Sequence, residues 1–188
     1  MQSPQRELFT ITIYSENSVG VLNQVSNIFT RRCLNIEDVS ASVSSVPDIH
    51  KLTLTTWADR PTMEKVVKQI EKLVDVIKAV LYTDDEIVYQ EIALYKVATA
   101  KLMEENMLES IIRQHNARIL ELTTEYVVIE KAGHTWEIEA LLGCLRKYGI
   151  TQFVRSGRVC VTKSPIEYID QFLEQQKERR KRCISGAQ

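Results

Sequence analysis

The sequence predicts an α+β chain of two βαββαβ modules, each an antiparallel sheet carrying both of its helices on one face. Three observations predict it: the order strand, helix, strand, strand, helix, strand in the first half, an acidic joint at Asp84-Asp85-Glu86, and the same order restarting beyond it. The repeat lies in the order of elements and not in residue identity. At 188 residues the chain accommodates two such ferredoxin-like units. A unit of about 80 residues buries only roughly 60% of its unfolded surface, so packing on the other half or on a second copy is expected.

Leu8 to Tyr14 alternates, with Phe9, Ile11 and Ile13 on one face, and reads as a strand. After the turn Ser15-Glu16-Asn17-Ser18, the residues Val21, Leu22, Val25, Ile28 and Phe29 recur at helical spacing, and the bases Arg31-Arg32 suit a helix end. Asn35–Val43 and His50–Trp57 read as the next two strands, separated by a turn at Pro47-Asp48. Asp59-Arg60-Pro61-Thr62 opens a helix through Met63, Val66, Val67, Ile70 and Leu73. Val76–Tyr82 closes the module.

In the second half, Gln90–Ala98 is a strand and Met103–His115 a helix, with Met107, Ile111 and Ile112 inward. Arg118–Thr123 and Tyr126–Lys131 make a strand pair. A helix starting at Gly133-His134-Thr135 carries Trp136, Ala140, Leu141, Cys144 and Leu145 and ends at Gly149, and Phe153–Val161 is the last strand. From Pro165 a helical pattern with Ile169, Phe172 and Leu173 on one face runs into Glu178-Arg179-Arg180-Lys181-Arg182. The expected domains are thus 1–83, a linker 84–88, 89–164, and a helical basic tail 165–188.

A formal charge of −1 gives no global field to recruit nucleic acid or a membrane surface. Cys33, Cys144, Cys160 and Cys183 show no CxxC spacing and read as idle thiols of a reducing compartment. No signal peptide or apolar span is expected, and the location expected is cytoplasmic. No Walker loop, GxGxxG or GxSxG is present, and His50, His115 and His134 form no metal-ligand spacing. No catalytic or metal-binding residue is therefore assigned.

One local feature carries chemistry: Glu16-Asn17-Ser18-Val19-Gly20-Val21-Leu22, with Leu34-Asn35-Ile36 beyond the following helix. The first amides of that helix, from about Val19 to Leu22, have no intrahelical acceptor, and with the helix dipole they suit a carboxylate. Gly20 allows close approach, and Asn17 offers both an acceptor and a donor to an amino acid. The alternative is that Asn17 and Ser18 only cap the helix. Asn35 follows the helix's far end, so it reaches the same ligand only from a two-fold related copy.

At these residues the chain resembles the small regulatory subunit of acetohydroxyacid (acetolactate) synthase, whose N-terminal part is an ACT domain. The resemblance rests on Glu16-Asn17, Gly20-Val21-Leu22, Phe29, Arg31-Arg32 and Asn35-Ile36, and on Gln69 to Val76. In the second half it rests on Glu91-Ile92-Ala93-Leu94, Lys96-Val97 and Val154-Arg155-Ser156-Gly157, so that residues 7 to 163 are covered. It implies an N-terminal ACT domain that dimerises, a C-terminal ACT-like domain, and a non-catalytic subunit that activates a catalytic large subunit. It further implies feedback inhibition by a branched-chain amino acid, valine first, bound by Asn17, Ser18, Val19, Gly20, Val21 and Leu22 with Asn35 and Ile36 from the second copy. Thiamine diphosphate, magnesium and FAD would belong to the large subunit and none to this chain. The family commonly has Gly where Cys33 stands, and a positive φ there would strain this chain. Val46 to His50 also departs from the family's polar turn. A second reading is a free-standing amino-acid-sensing regulator whose basic tail contacts nucleic acid. A third, an acylphosphatase-like enzyme, lacks an Arg-bearing phosphate loop.

Overall fold

The computed structural model describes residues 6–104, 108–165, 169 and 172–174. It forms two compact units, Met1–Val88 together with Cys160–Gln188, and Tyr89–Val159.

The first unit runs β1 (Glu7–Glu16), α1 (Val21–Arg31), β2 (Asp38–Val43), β3 (Ile49–Ala58), α2 (Arg60–Ile70) and β4 (Val76–Tyr82). Its sheet has the order β2-β3-β1-β4, antiparallel throughout. The alternation of β1 places Phe9, Ile11 and Ile13 against Val25 and Phe29 of α1 and Met63, Val66 and Ile70 of α2, all buried in one core. Register joins Ile11 to Leu54 and Ile13 to Leu52, so the apolar rows of β1 and β3 coincide. Asp59 caps α2, accepting from the Thr62 amide at 2.9 Å and from its hydroxyl at 2.8 Å.

α1 closes through Cys33, whose φ is +53°. The Cys33 amide donates to the Thr30 carbonyl and the Leu34 amide to the Phe29 carbonyl, both at 3.0 Å, and Leu34 packs on the core. This is the paired bonding of a Schellman end, a position that ordinarily takes Gly. β2 starts at Asp38 and not at Asn35, because residues 34–37 are still crossing the sheet edge: Asn35 accepts from the Thr56 hydroxyl and the Glu37 amide donates to the Thr55 carbonyl.

The second unit contains most of β5 (Ile87–Ala98), then α3 (Thr99–Glu104), α4 (Leu108–Gln114), β6 (Arg118–Leu122), β7 (Tyr126–Gly133), α5 (Thr135–Leu145), a 3-10 turn at Arg146–Tyr148 and β8 (Ile150–Arg155). The order is β6-β7-β5-β8, with β9 (Val159–Thr162) also pairing with β5. Ala93, Tyr95 and Val97 of β5 meet Ile111, Val127, Ile129, Ile138, Leu141 and Leu145 in a second core. Burial pushes the Tyr95 phenol far above its ordinary range, and its hydroxyl donates to the Ile138 carbonyl at 2.8 Å.

Four details differ from the sequence expectation. The helix expected from Met103 already begins at Thr99: its described residues are α3, up to Glu104, and α4, from Leu108, with Met107 outside the described residues. The strand expected over 153–161 is β8 and β9, broken where Ser156 turns its amide to the Ile92 carbonyl. Trp136, expected on the apolar face of its helix, is exposed, and α5 faces the core with Ile138, Leu141 and Leu145. The boundary expected at 164 falls between Val159 and Cys160.

The physical reason for that last shift is the second face of β1. Thr10, Thr12 and Tyr14 alternate with the core row yet are also buried, and the returning chain lies on that side. Cys160 sets its sulfur 3.8 Å from the Thr12 hydroxyl, and Lys51 donates from Nζ to the Cys160 carbonyl at 3.0 Å. A cavity of about 210 Å³ between them is lined by Tyr14, Tyr82 and Pro165 among others. Ile169 is buried against Tyr14 and Ile49, with Leu173 beside it. The basic run Glu178 to Arg182 lies outside the described residues.

Candidate functional site

β1 ends at Glu16, and four residues turn the chain into α1. The Asn17 amide donates to the Asp48 carbonyl at 3.3 Å and the Ser18 amide to the Glu16 carbonyl at 2.8 Å. Neither Asn17 nor Ser18 caps the helix: the N-cap is Gly20, in the left-handed region at φ +94°, with no side-chain cap bond. Only the fourth amide is taken internally, Gln24 donating to the Gly20 carbonyl at 3.0 Å. The first turn contains no acidic side chain. An uncapped helix start with no carboxylate in its first turn keeps its partial positive charge for something else.

Around this start, Val19 and Leu22 are exposed, whereas Val21 is buried in the core, so Val21 offers its amide and not its side chain. Against the same loop, at Glu16, Asn17 and Ser18, a groove of about 480 Å³ opens. It is lined by the polar Glu16, Asn17, Ser18 and Asp48 and by the apolar Ile49, Ile77, Phe172 and Leu173. Asp48 holds φ +63°, a conformation that Asp tolerates better than most residues, and this presents its carbonyl to Asn17.

Asn35 and Ile36 are not brought to this place. The 11 residues of α1 span roughly 16 Å, and Asn35 lies beyond the far end, donating from Nδ2 to the Glu37 carboxylate at 3.1 Å. Ile36 packs against the core. Of the residues singled out in sequence, Asn17 and Ser18 enter the groove, and Val19, Gly20, Val21 and Leu22 form the adjacent helix start. Sequence reasoning missed Asp48, Ile77, Phe172 and Leu173 as groove residues. The apolar spacing of the last two was visible, their docking place was not.

The second unit holds a different polar centre. Glu91 is buried and stands 3.5 Å from both Arg155 and Arg158, and it accepts from the Thr135 hydroxyl at 2.7 Å. Arg158 also lies over the Tyr89 ring, 3.9 Å from its centroid. At the start of α5 the His134 amide donates to Glu137 at 2.8 Å and Lys131 pairs with Glu137 at 3.1 Å, and these bonds hold the Glu137 carboxyl below its ordinary range. Among the described residues no cluster of His, Cys, Asp and Glu could hold a metal ion, and no helix is long and apolar enough to cross a membrane.

Tandem βαββαβ units, the first with a bare helix start beside an amphipathic groove, define a tandem ACT-type protein. The model of the acetohydroxyacid synthase small-subunit-like ACT domain matches residues 11–78, and that of the small subunit of acetolactate synthase matches 90–164. The chain is 32% identical over 156 residues to the acetolactate synthase small subunit of Mycolicibacterium smegmatis, covering 83% of this chain and 91% of that one. The chain belongs to the acetolactate synthase small-subunit family. It is 29% identical to the Bacillus subtilis small subunit, covering 81% of this chain and 87% of that one. The crystal structure of the Thermotoga maritima small subunit superposes with a TM-score of 0.77 at 25% identity, over 85% of this chain and 99% of that one.

Proposed function

We propose that this chain is the regulatory, non-catalytic subunit of an acetolactate synthase. In this reading it raises the activity of the catalytic large subunit and makes it sensitive to a branched-chain amino acid, valine first. The observation that carries it is the uncapped, acid-free start of α1 behind Gly20, in a chain of this family. The effector's carboxylate takes the amides of Val21 and Leu22, Asn17 serves its polar end, and Leu22 and Val19 offer apolar surface. Asn35 comes from a second copy joined through the ACT domain, since within one chain it lies a helix length away. Thiamine diphosphate, magnesium and FAD act in the large subunit, and this chain contributes linkage alone. An effector that prefers one arrangement of the paired ACT domains shifts the population the large subunit meets. A coupling of about 1–3 kcal/mol suffices for a 5- to 150-fold effect.

The test is an assay of the purified large subunit alone and with this chain across a valine titration. The expected result is a higher basal rate together with inhibition. No activation and no inhibition by valine, leucine or isoleucine defeats the reading. Asn17→Ala and Asn35→Ala are each expected to remove inhibition while leaving activation intact.

A further inference from the structure

We propose that the chain's own C-terminal segment forms the apolar wall of the effector groove, so that Phe172 and Leu173 select the effector by its side chain. This rests on the reading of the Asn17 region as the effector site. Three observations argue for the wall. The groove's lining is of two kinds, polar or acidic in Glu16, Asn17, Ser18 and Asp48 and apolar in Ile49, Ile77, Phe172 and Leu173. An α-amino acid has the same two kinds of surface, its ammonium suiting the carboxylates and an aliphatic side chain suiting Phe172 and Leu173. The volume of about 480 Å³ is in the range of small-ligand pockets.

The segment is seated by burial and not by a surface contact. Ile169 is 1% exposed in a buried cluster with Tyr14 and Ile49, Leu173 packs against that cluster, and Phe172 and Leu173 line the groove. Finally, the family match ends at residue 164, so these side chains lie beyond the shared framework. A wall added outside that framework gives this chain its own means of discriminating between amino acids at a common polar site. A pocket that closes around an aliphatic side chain rewards each added methylene, whereas an open groove does not.

The experiment is calorimetric titration of the full-length chain and its variants with L-valine, L-leucine and L-alanine. Phe172→Ala combined with Leu173→Ala is expected to weaken leucine and valine about tenfold and alanine much less, flattening the preference. A chain stopped after Pro165 is expected to behave alike. The double variant keeps the Ile169 anchor, and Phe172→Leu, which preserves apolar volume, is expected to restore most of the loss if the alanine variant melts early. If Asn17→Ala abolishes binding while the double variant keeps the parental leucine-to-alanine ratio, the wall is overturned and the site reading stands. If binding ignores Asn17→Ala, the site reading falls and this proposal with it. Tighter binding on truncation overturns the wall, because the segment then obstructs the groove.

Discussion

Glu91 and Arg158 face each other at 3.5 Å with side chains only 4% and 3% exposed. Taking both charges out of water is costly, and the pair persists because Arg155 and the Thr135 hydroxyl also serve Glu91. Removing Glu91 takes away the carboxylate that faces the buried Arg158. Glu91→Ala is therefore expected to destabilise the second unit by about 3–5 kcal/mol, seen as a fall of about 10 °C in the melting temperature. A variant that melts within two degrees of the parent refutes this.

Gly20 and Gly143 make opposite predictions for the same substitution. A Cβ at either meets nothing within 4 Å, so crowding is not at issue. Gly20 sits at φ +94°, where an L-residue is strained, and Gly20→Ala is expected to cost about 1–2 kcal/mol and to weaken the valine response. Gly143 lies inside α5, and Gly143→Ala is expected to stabilise by about 0.5–1 kcal/mol. Chemical denaturation of the two variants side by side checks both signs.

Cys33 closes α1 at φ +53° without the glycine that suits that bend. Cys33→Gly is expected to raise stability by about 1 kcal/mol, the left-handed penalty relieved against the extra freedom of the unfolded chain. Thermal melting reads it directly, and a lower melting point contradicts the account.

Glu137 sets one pH dependence. Its carboxyl is held below the ordinary value of 4.5 first by the His134 amide and then by Lys131. A folded-state value below the unfolded one means stability is fully present above that ordinary value and is lost as pH falls through the folded value. Melting curves between neutral and acid pH should show Glu137→Gln less stable than the parent at neutrality. The gap should close on acidification, and a gap that widens reverses the sign and rejects the assignment.

The elements with local causes were legible in the sequence. Phe9, Ile11 and Ile13 announce β1 by alternation, Asp59 and Pro61 announce α2 by capping chemistry, and the family's glycine position before Leu34 foretold the bend at Cys33. The helix start at Gly20 was legible as a place but not in its detail, since which residue caps depends on backbone angles. What stayed hidden depends on partners far away in the chain. Ile169 reads as one residue of an amphipathic stripe, and nothing local says that it meets Tyr14. Arg158 stands between β8 and β9, and nothing local says that it is buried beside Glu91.

Thr12 and Cys160 touch across 148 positions of chain, which gives the protein a timetable. During synthesis β1 to β4 can form their helix-side core early, but the opposite face of β1 stays bare until all of 89–159 has been made. Such late, distant closure slows folding and lengthens the period in which a sheet surface is open to other chains. A fragment ending at Val88 would carry that bare surface permanently.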